Sequence, residues 1–294
     1  MIAMQPKDLP SPSRRKATRK RVIQTIPKRD SFMPLTVVAP HASIVTAINA
    51  FNAGYHHDYL LVKNLAAPYL MAPTEKNAGP LAAALSEVLY RWGAGKRKAP
   101  TVQPVSTLQA VLLDPSFHTL LAGFSAAPIT TLSIFGGHSR AVGGVAAEAT
   151  RLAFDTNLTS VLSQISAQIL IGNTNVTYPM KVLLLLTGFM PALDSQVRQG
   201  LYSAGFAGTN ATQFQMPAGL GSVEAQKLTR LPFFLGECFA ANSALLTGAA
   251  TASHYPWLAT EPGRLFDILL FMQGSAAHTL LAFTPRVHNW YGLA

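Results

Sequence analysis

The sequence predicts a mainly α-helical protein with a minor β component: one large helical body over residues 31–294, preceded by a disordered basic arm over residues 1–30. Three observations predict this organisation. Apolar residues recur at helical spacing in several segments of the body. No series of segments alternates with the period of a strand, and no internal repeat occurs. Positive charge is concentrated in the first 30 residues.

The arm holds nine Lys or Arg and two Asp, a net charge of +7, whereas the other 264 residues hold 14 basic and 11 acidic residues, a net charge of +3. With prolines at positions 6, 10 and 12 and few apolar side chains, the arm cannot bury enough surface to offset its conformational entropy. We therefore expect it to be disordered in isolation. Flexible Lys and Arg bind phosphates without reading base sequence. The arm is thus expected to bind nucleic acid through Arg14, Arg15, Lys16, Arg19, Lys20, Arg21, Lys28 and Arg29.

A nuclear-localisation tract remains an alternative function of the arm. A mitochondrial presequence is disfavoured, because it requires an amphipathic helix and this segment contains prolines and acidic residues.

Charged residues make up only 12% of the chain and apolar residues 49%. A chain this poor in charge buries much of its surface against other subunits or contacts a membrane. Neither of the most apolar stretches predicts a transmembrane helix, because residues 182–191 are too short and residues 265–283 contain Asp267 and Gln273. We therefore expect subunit contacts and no membrane partner. The first residues lack the apolar segment of a signal peptide, and the one cysteine, Cys238, fits a reducing compartment.

The first half of the body contains segments with apolar residues at helical spacing, and these segments are separated by Gly and Pro residues that end helices. Gly93 and Gly172 are expected to end helices, and Pro115 divides a pair of short ones. The predicted elements are an extended segment at 32–40, helices at 41–52 and 81–92, two short helices within 106–124, and helices at 145–154 and 158–169.

The second half is less regular. Residues 173–190 form an apolar run that fits either a helix or a strand, and a Gly, Ala, Thr and Gln-rich loop makes 200–221 a candidate subdomain. The tail 284–294 is aromatic and is expected to dock on another surface. Helices are predicted to resume at 222–230, 234–246 and 264–282.

Two further segments carry candidate binding residues. The loop 93–104 contains Lys96, Arg97 and Lys98 beside Trp92, which predicts either nucleic-acid contact with a stacking surface or an ordinary exposed loop. The segment 54–59 contains two adjacent histidines, whose side chains point apart, and no matching ligand cluster occurs elsewhere. We expect a polar and aromatic surface or a subunit contact there, with no metal and no cofactor.

The segment Gly137-His138-Ser139-Arg140-Ala141 follows a strand-like stretch and resembles the G-x-S-x-G elbow of α/β-hydrolases, with Ala141 in place of the second glycine. The resemblance implies Ser139 as nucleophile. The triad would continue along the chain with Asp194 as the acid and with one of three histidines as the base: His254, His278 or His288. Against it, the chain before residue 130 lacks the glycine-rich oxyanion loop and the alternating strands and helices of that family. We expect 136–144 to be the glycine-rich start of a helix, and a serine hydrolase remains an alternative.

The cationic arm, the charge-poor helical body, the Thr, Ala, Gln and Pro-rich loops and the aromatic tail together resemble coat proteins of small RNA viruses. The helical body is similar to the partitivirus-like coat proteins of double-stranded RNA viruses. This resemblance implies a non-enzymatic protein that assembles from dimers into an icosahedral shell, with other copies of itself and RNA as partners. The expected location is the virion, and the host cytoplasm during assembly. Filament-forming nucleocapsid proteins and cellular nucleic-acid-binding proteins remain further alternatives.

Overall fold

The structure is a computed structural model, and it describes residues 35–209, 214–275 and 278–283. The chain divides into two units at Ser31 and Phe32, and all described residues belong to the second. Within these ranges the protein is mainly α-helical with a few short strands, which confirms the predicted fold class. The basic arm lies outside the described residues.

The helices and strands follow one another along the chain with short connections. The helices are α1 (His41–Ala50), α2 (Ala53–Met71), α3 (Glu75–Arg91), α4 (Val105–Leu112), α5 (Pro115–Ala126), α6 (Glu148–Gln164), α7 (Thr177–Thr187), α8 (Ser195–Ala204), α9 (Val223–Ala252) and α10 (Pro262–Gly274). The strands are β1 (Leu35–Val37), β2 (Thr101–Val102), β3 (Leu132–Phe135), β4 (Ser139–Val142), β5 (Leu170–Ile171) and β6 (Leu281–Phe283).

The strands form three separate antiparallel pairs, β1 with β6, β2 with β5 and β3 with β4. In the first pair Leu35 lies opposite Phe283, so the two ends of the described region meet. In the third pair Leu132 lies opposite Val142. The pairs are too short to form a sheet core, and one continuous apolar core lies between the helices.

Helix α2 is the largest departure from the predicted elements. Asn52 caps its N-terminus by accepting a hydrogen bond of 2.8 Å from the backbone N–H of Gly54. His56, Asp58 and Tyr59 are buried within it, so the predicted surface role of the segment 54–59 is wrong for these three side chains. The apolar face of α2 includes tyrosines and a histidine, and these polar-tipped residues hide its helical spacing in the sequence.

Helices α4 and α5 confirm the predicted short pair. Asp114 ends the connection between them and caps α5, because its Oδ1 accepts hydrogen bonds from the backbone N–H groups of Ser116 and Phe117. The two predicted helices at 145–154 and 158–169 form one helix, α6, which continues into a π-helical turn at Ile165–Ile169.

The predicted helices at 222–230 and 234–246 also form one helix, α9, of 30 residues. Its backbone leaves helical geometry at Asn242, whose Nδ2 donates a hydrogen bond of 2.9 Å to the carbonyl of Cys238. By length and composition α9 is apolar enough to cross a membrane, which the sequence-based expectation did not include. That test is also passed by core helices of soluble proteins, and 44% of the apolar window of α9 is buried in the body.

Helix α10 ends at Gly274, eight residues before the predicted end. The side chain of Gln273 explains the change of direction, because its Oε1 accepts hydrogen bonds from the backbone N–H groups of Leu280 and Leu281, at 2.9 and 2.8 Å. Gly274 and Gly200 allow α10 and α8 to pack backbone against backbone, since a Cβ at either position would overlap a carbonyl oxygen of the facing helix.

The described part of the segment 200–221 packs against the rest of the body. Its first residues belong to α8, and the described part of the loop is tied to the body by a hydrogen bond of 2.9 Å from Val176 N to Phe214 O. It belongs to the same unit as the rest of the body. The ambiguous run 173–190 contains α7, which is buried on all sides.

Candidate functional site

The basic loop is a tight surface turn between α3 and β2, held by backbone hydrogen bonds of 2.8 and 2.9 Å. Lys96, Arg97 and Lys98 are all exposed there. None of the ion pairs found in the described region engages them. The structure therefore brings three predicted nucleic-acid-binding residues together on one turn. The other eight belong to the arm and lie outside the described residues.

The aromatic side chain that borders this loop is Tyr90, and the expected role of Trp92 as a stacking surface is wrong. Trp92 is buried, and its Nε1 donates a hydrogen bond of 2.9 Å to Asp58 Oδ2 on α2. Tyr90 is 42% exposed, and a Cβ at Gly95 of the loop would lie 3.1 Å from its ring edge. A half-exposed ring beside three cations suits single-stranded nucleic acid, whose bases stack on aromatic faces.

Ser139 lies on the second strand of a β-hairpin, so the predicted glycine-rich helix start at 136–144 is wrong. Gly136 and Gly137 have φ angles of 61° and 74°, a left-handed conformation that reverses the chain between β3 and β4. A nucleophile elbow requires a strand followed directly by a helix. The segment therefore lacks the geometry that would present Ser139 at the top of a sheet.

Two of the candidate triad partners of Ser139, Asp194 and His254, have other contacts. Asp194 caps α8, because its Oδ1 accepts hydrogen bonds from the backbone N–H groups of Gln196 and Val197 at 3.0 and 2.9 Å. His254 is exposed, and its backbone N–H donates to Asn49 Oδ1. His278 lies in the connection before β6, and His288 is outside the described residues.

A buried charged cluster joins α2, α7 and α10. Arg264 is 1% exposed and forms an ion pair with Asp267, whose Oδ1 also accepts a hydrogen bond of 2.8 Å from the backbone N–H of Ala192. The Arg264 guanidinium lies 5.1 Å from the ring centre of Tyr59 and 5.6 Å from that of Trp92. Pairing and cation–π contact thus offset the cost of burying this charge.

Lys181 extends the cluster on α7. Its Nζ donates a hydrogen bond of 2.8 Å to the carbonyl of Trp92 and lies 4.7 Å from the ring centre of Tyr178. Burial lowers the pKa of Lys181, and the carboxylates of Asp194 and Asp267 act in the opposite direction. A cavity of about 40 Å³ lies between these groups, which is room for a few water molecules.

His56 lies next to this cluster and is buried without a hydrogen-bond partner of normal geometry at either ring nitrogen. Its ring stacks on Tyr255 with the ring centres 3.6 Å apart. Burial, and then the positive charge of Arg264, lower the pKa of His56 from 6.5 to about 4, while the backbone of Ile48 acts weakly in the raising direction. The imidazole is therefore neutral at neutral pH. In the described part of the chain, no group of three or more His, Cys, Asp or Glu could hold a metal ion.

No protein-family model, curated protein or solved structure matches the chain. The described body is thus a charge-poor, mainly α-helical unit with an exposed basic turn, and a functional assignment depends on the chemistry of its own residues.

Proposed function

We propose that this chain is a structural coat protein that assembles into a shell with other copies of itself and binds RNA non-specifically through its basic N-terminal arm. It would act without catalytic residues, in the virion and in the host cytoplasm during assembly. The partitivirus-like coat proteins are the class that its composition and helical body resemble.

The observation that carries this proposal is the separation of charge along the chain. The arm has a net charge of +7 in 30 residues, whereas the body has +3 in 264. A strongly cationic segment in the same chain as a nearly neutral body suits a protein that neutralises a polyanion while its bodies pack side by side.

The way the body uses its charges supports the same proposal. Arg140 and Asp155 form a largely buried ion pair at 2.6 Å, and Arg264 with Asp267 forms a fully buried one. Charged side chains that are paired inside the body do not contribute to the hydration of its surface. Twelve large apolar side chains of the described region are exposed, which suits a surface that other subunits cover.

Assembly is tested by negative-stain microscopy and light scattering on the purified full chain, before and after a salt wash that removes nucleic acid. Uniform closed particles support the proposal, and helical ribonucleoprotein would favour a filament-forming nucleocapsid protein. A monodisperse monomer or dimer without bound nucleic acid would contradict both. Reaction of that species with a fluorophosphonate probe at Ser139 would then favour the hydrolase.

RNA binding is tested with variants that remove charge without shortening the chain. Replacing the eight predicted arm cations by Gln is expected to abolish most of the binding. Replacing Lys96, Arg97 and Lys98 by Ala is expected to reduce the slope of log K against log salt by about 2 for single-stranded RNA, since each phosphate contact contributes about 0.7. Lys76→Ala, at an exposed site on α3, is the control and should leave the slope almost unchanged.

A further inference from the structure

The segment that contains α5 and the β3–β4 hairpin carries almost no charge. Between residues 115 and 147, which include α5 and the hairpin, the only Lys, Arg, Asp or Glu is Arg140. Arg140 is 5% exposed and paired with Asp155, so it does not contribute a solvated charge. We call residues 115–147 the uncharged face. A chain segment of this length without a solvated charge is unusual in a region that remains exposed to water.

An apolar groove of about 340 Å³ opens within this face, between α5, α6 and the hairpin. None of its lining residues is charged. Most of the wall is apolar, and its principal side chains are Leu120, Phe124, Leu132, Val142, Ala153 and Phe154. Its volume is in the range of sites that hold a large apolar side chain or a small ligand.

Phe135, at the end of β3, is the most exposed aromatic side chain of the described region, at 71%. Successive residues of a strand point to opposite faces. Leu132 and Val142 are paired and line the groove, whereas Phe135 is paired with Ser139 and belongs to the other face of the hairpin. Phe135 therefore points away from the groove of its own chain and cannot fill it.

We propose that Phe135 of one copy inserts into the apolar groove of a second copy, and that the uncharged face is a subunit interface. This inference rests on the proposed self-assembly and names the contact that would carry it. A projecting aromatic ring and a groove on different faces of the same chain allow a heterologous contact, in which each copy uses its ring on one neighbour and its groove on another. Buried aromatic anchors in apolar pockets dominate the free energy of many interfaces.

A second copy of the chain accounts for both the exposed Phe135 and the apolar groove, whereas each of the other candidate occupants of the groove leaves Phe135 unexplained. The tail 284–294 could fill the groove, but Phe135, on the opposite face of the hairpin, would remain exposed. A charged partner finds no complementary charge on residues 115–147. Contact between copies covers the ring and the groove together, and the exposed Val145, 50% accessible, lies just beyond the hairpin.

The first test compares Phe135→Glu with Met71→Glu, which also places a carboxylate at an exposed apolar residue, 89% accessible on α2. Phe135→Glu should raise the dissociation constant of the assembled species by at least about tenfold, as expected for an anchor residue. Met71→Glu should change it less than twofold. Circular dichroism melting curves are the control for folding of both variants, which should melt at temperatures close to that of the wild type.

The second test keeps Phe135 and introduces cysteines beside the contact. Ser139→Cys is made in one preparation, on the face of Phe135, and Thr150→Cys in another, on the wall of the groove. After mixing and mild oxidation, a mixed disulfide between the two proteins is expected, identified by mass spectrometry. The native Cys238 is fully buried and does not compete.

The outcomes separate the two proposals. If the wild type assembles but Phe135→Glu assembles equally well and no mixed disulfide forms, this inference is overturned and the coat-protein proposal stands. If truncation after Phe283, and not Phe135→Glu, opens the groove to a hydrophobic dye, the tail is the occupant and the inference is overturned. If the wild type does not assemble under any condition, both proposals fail.

Discussion

Acid is expected to destabilise this protein through His56. Its pKa is lowered from 6.5 to about 4, so the folded protein binds the proton more weakly than the unfolded chain. The stability that depends on neutral His56 is fully present above pH 6.5 and is lost as the pH falls from 6.5 towards 4. The whole pKa shift corresponds to about 3.4 kcal/mol of unfolding free energy, at about 1.36 kcal/mol for each pKa unit. Between pH 7 and about pH 4.5 the expected loss is about 2 kcal/mol.

The assay is urea unfolding of the wild type, His56→Leu and His57→Leu at both pH values. His57 is the matched control, because it is the adjacent residue and is exposed. Wild type and His57→Leu should lose about 2 kcal/mol more than His56→Leu on acidification, since only the last lacks the buried imidazole. At neutral pH leucine has a similar volume and removes two unpartnered nitrogens, so His56→Leu should cost less than about 1.5 kcal/mol. Equal acid sensitivity of His56→Leu and the wild type would refute this account of the site.

Further predictions concern the buried ion pair and the close helix packing. Asp267→Ala leaves the charge of Arg264 buried and unpaired, and should lower the free energy of unfolding by about 3 to 5 kcal/mol. Glu87→Ala, which removes an exposed partner of Arg91, should cost less than about 1 kcal/mol in the same urea titration. Gly200→Ala should destabilise by about 3 kcal/mol or more, because the methyl group overlaps the Leu270 carbonyl. Gly123→Ala, in the middle of α5 with open space around it, should instead stabilise by up to about 1 kcal/mol; a melting temperature that falls for Gly123→Ala as far as for Gly200→Ala would contradict the packing described.

The candidate site was only partly predictable, and Trp92 shows why. The sequence places Trp92 beside Lys96, Arg97 and Lys98, and neighbouring residues were expected to share one surface. The indole instead turns into the core, where Asp58 accepts its hydrogen bond. Asp58 comes from α2, 34 residues earlier in the chain, and local spacing carries no information on such a contact. Tyr90, two residues earlier, has the exposure that the stacking role requires.

The hairpin at Ser139 shows a different limit. Consecutive glycines permit both a tight strand-to-helix connection and a chain reversal, so the sequence Gly136-Gly137 leaves the two structures open. The pairing of Leu132 with Val142 decides between them. That pairing is stabilised from outside the segment, by the Arg140–Asp155 ion pair to α6 and by a hydrogen bond of 3.0 Å from Ile134 N to Glu237 Oε2 on α9.

The sequence by itself determined the helical class, the two short helices separated near Asp114, the exposed basic turn and the separation of charge between arm and body. These features depend on composition and on spacing within one or two helical turns, which local physics controls. Only the tertiary structure decided that Arg264, Asp267 and Lys181 meet inside the body, and that Phe135 projects from a hairpin beside an apolar groove. Such groups are brought together by the packing of helices distant in the chain, and a buried charge is stable only where ion pairs, hydrogen bonds or cation–π contacts compensate it.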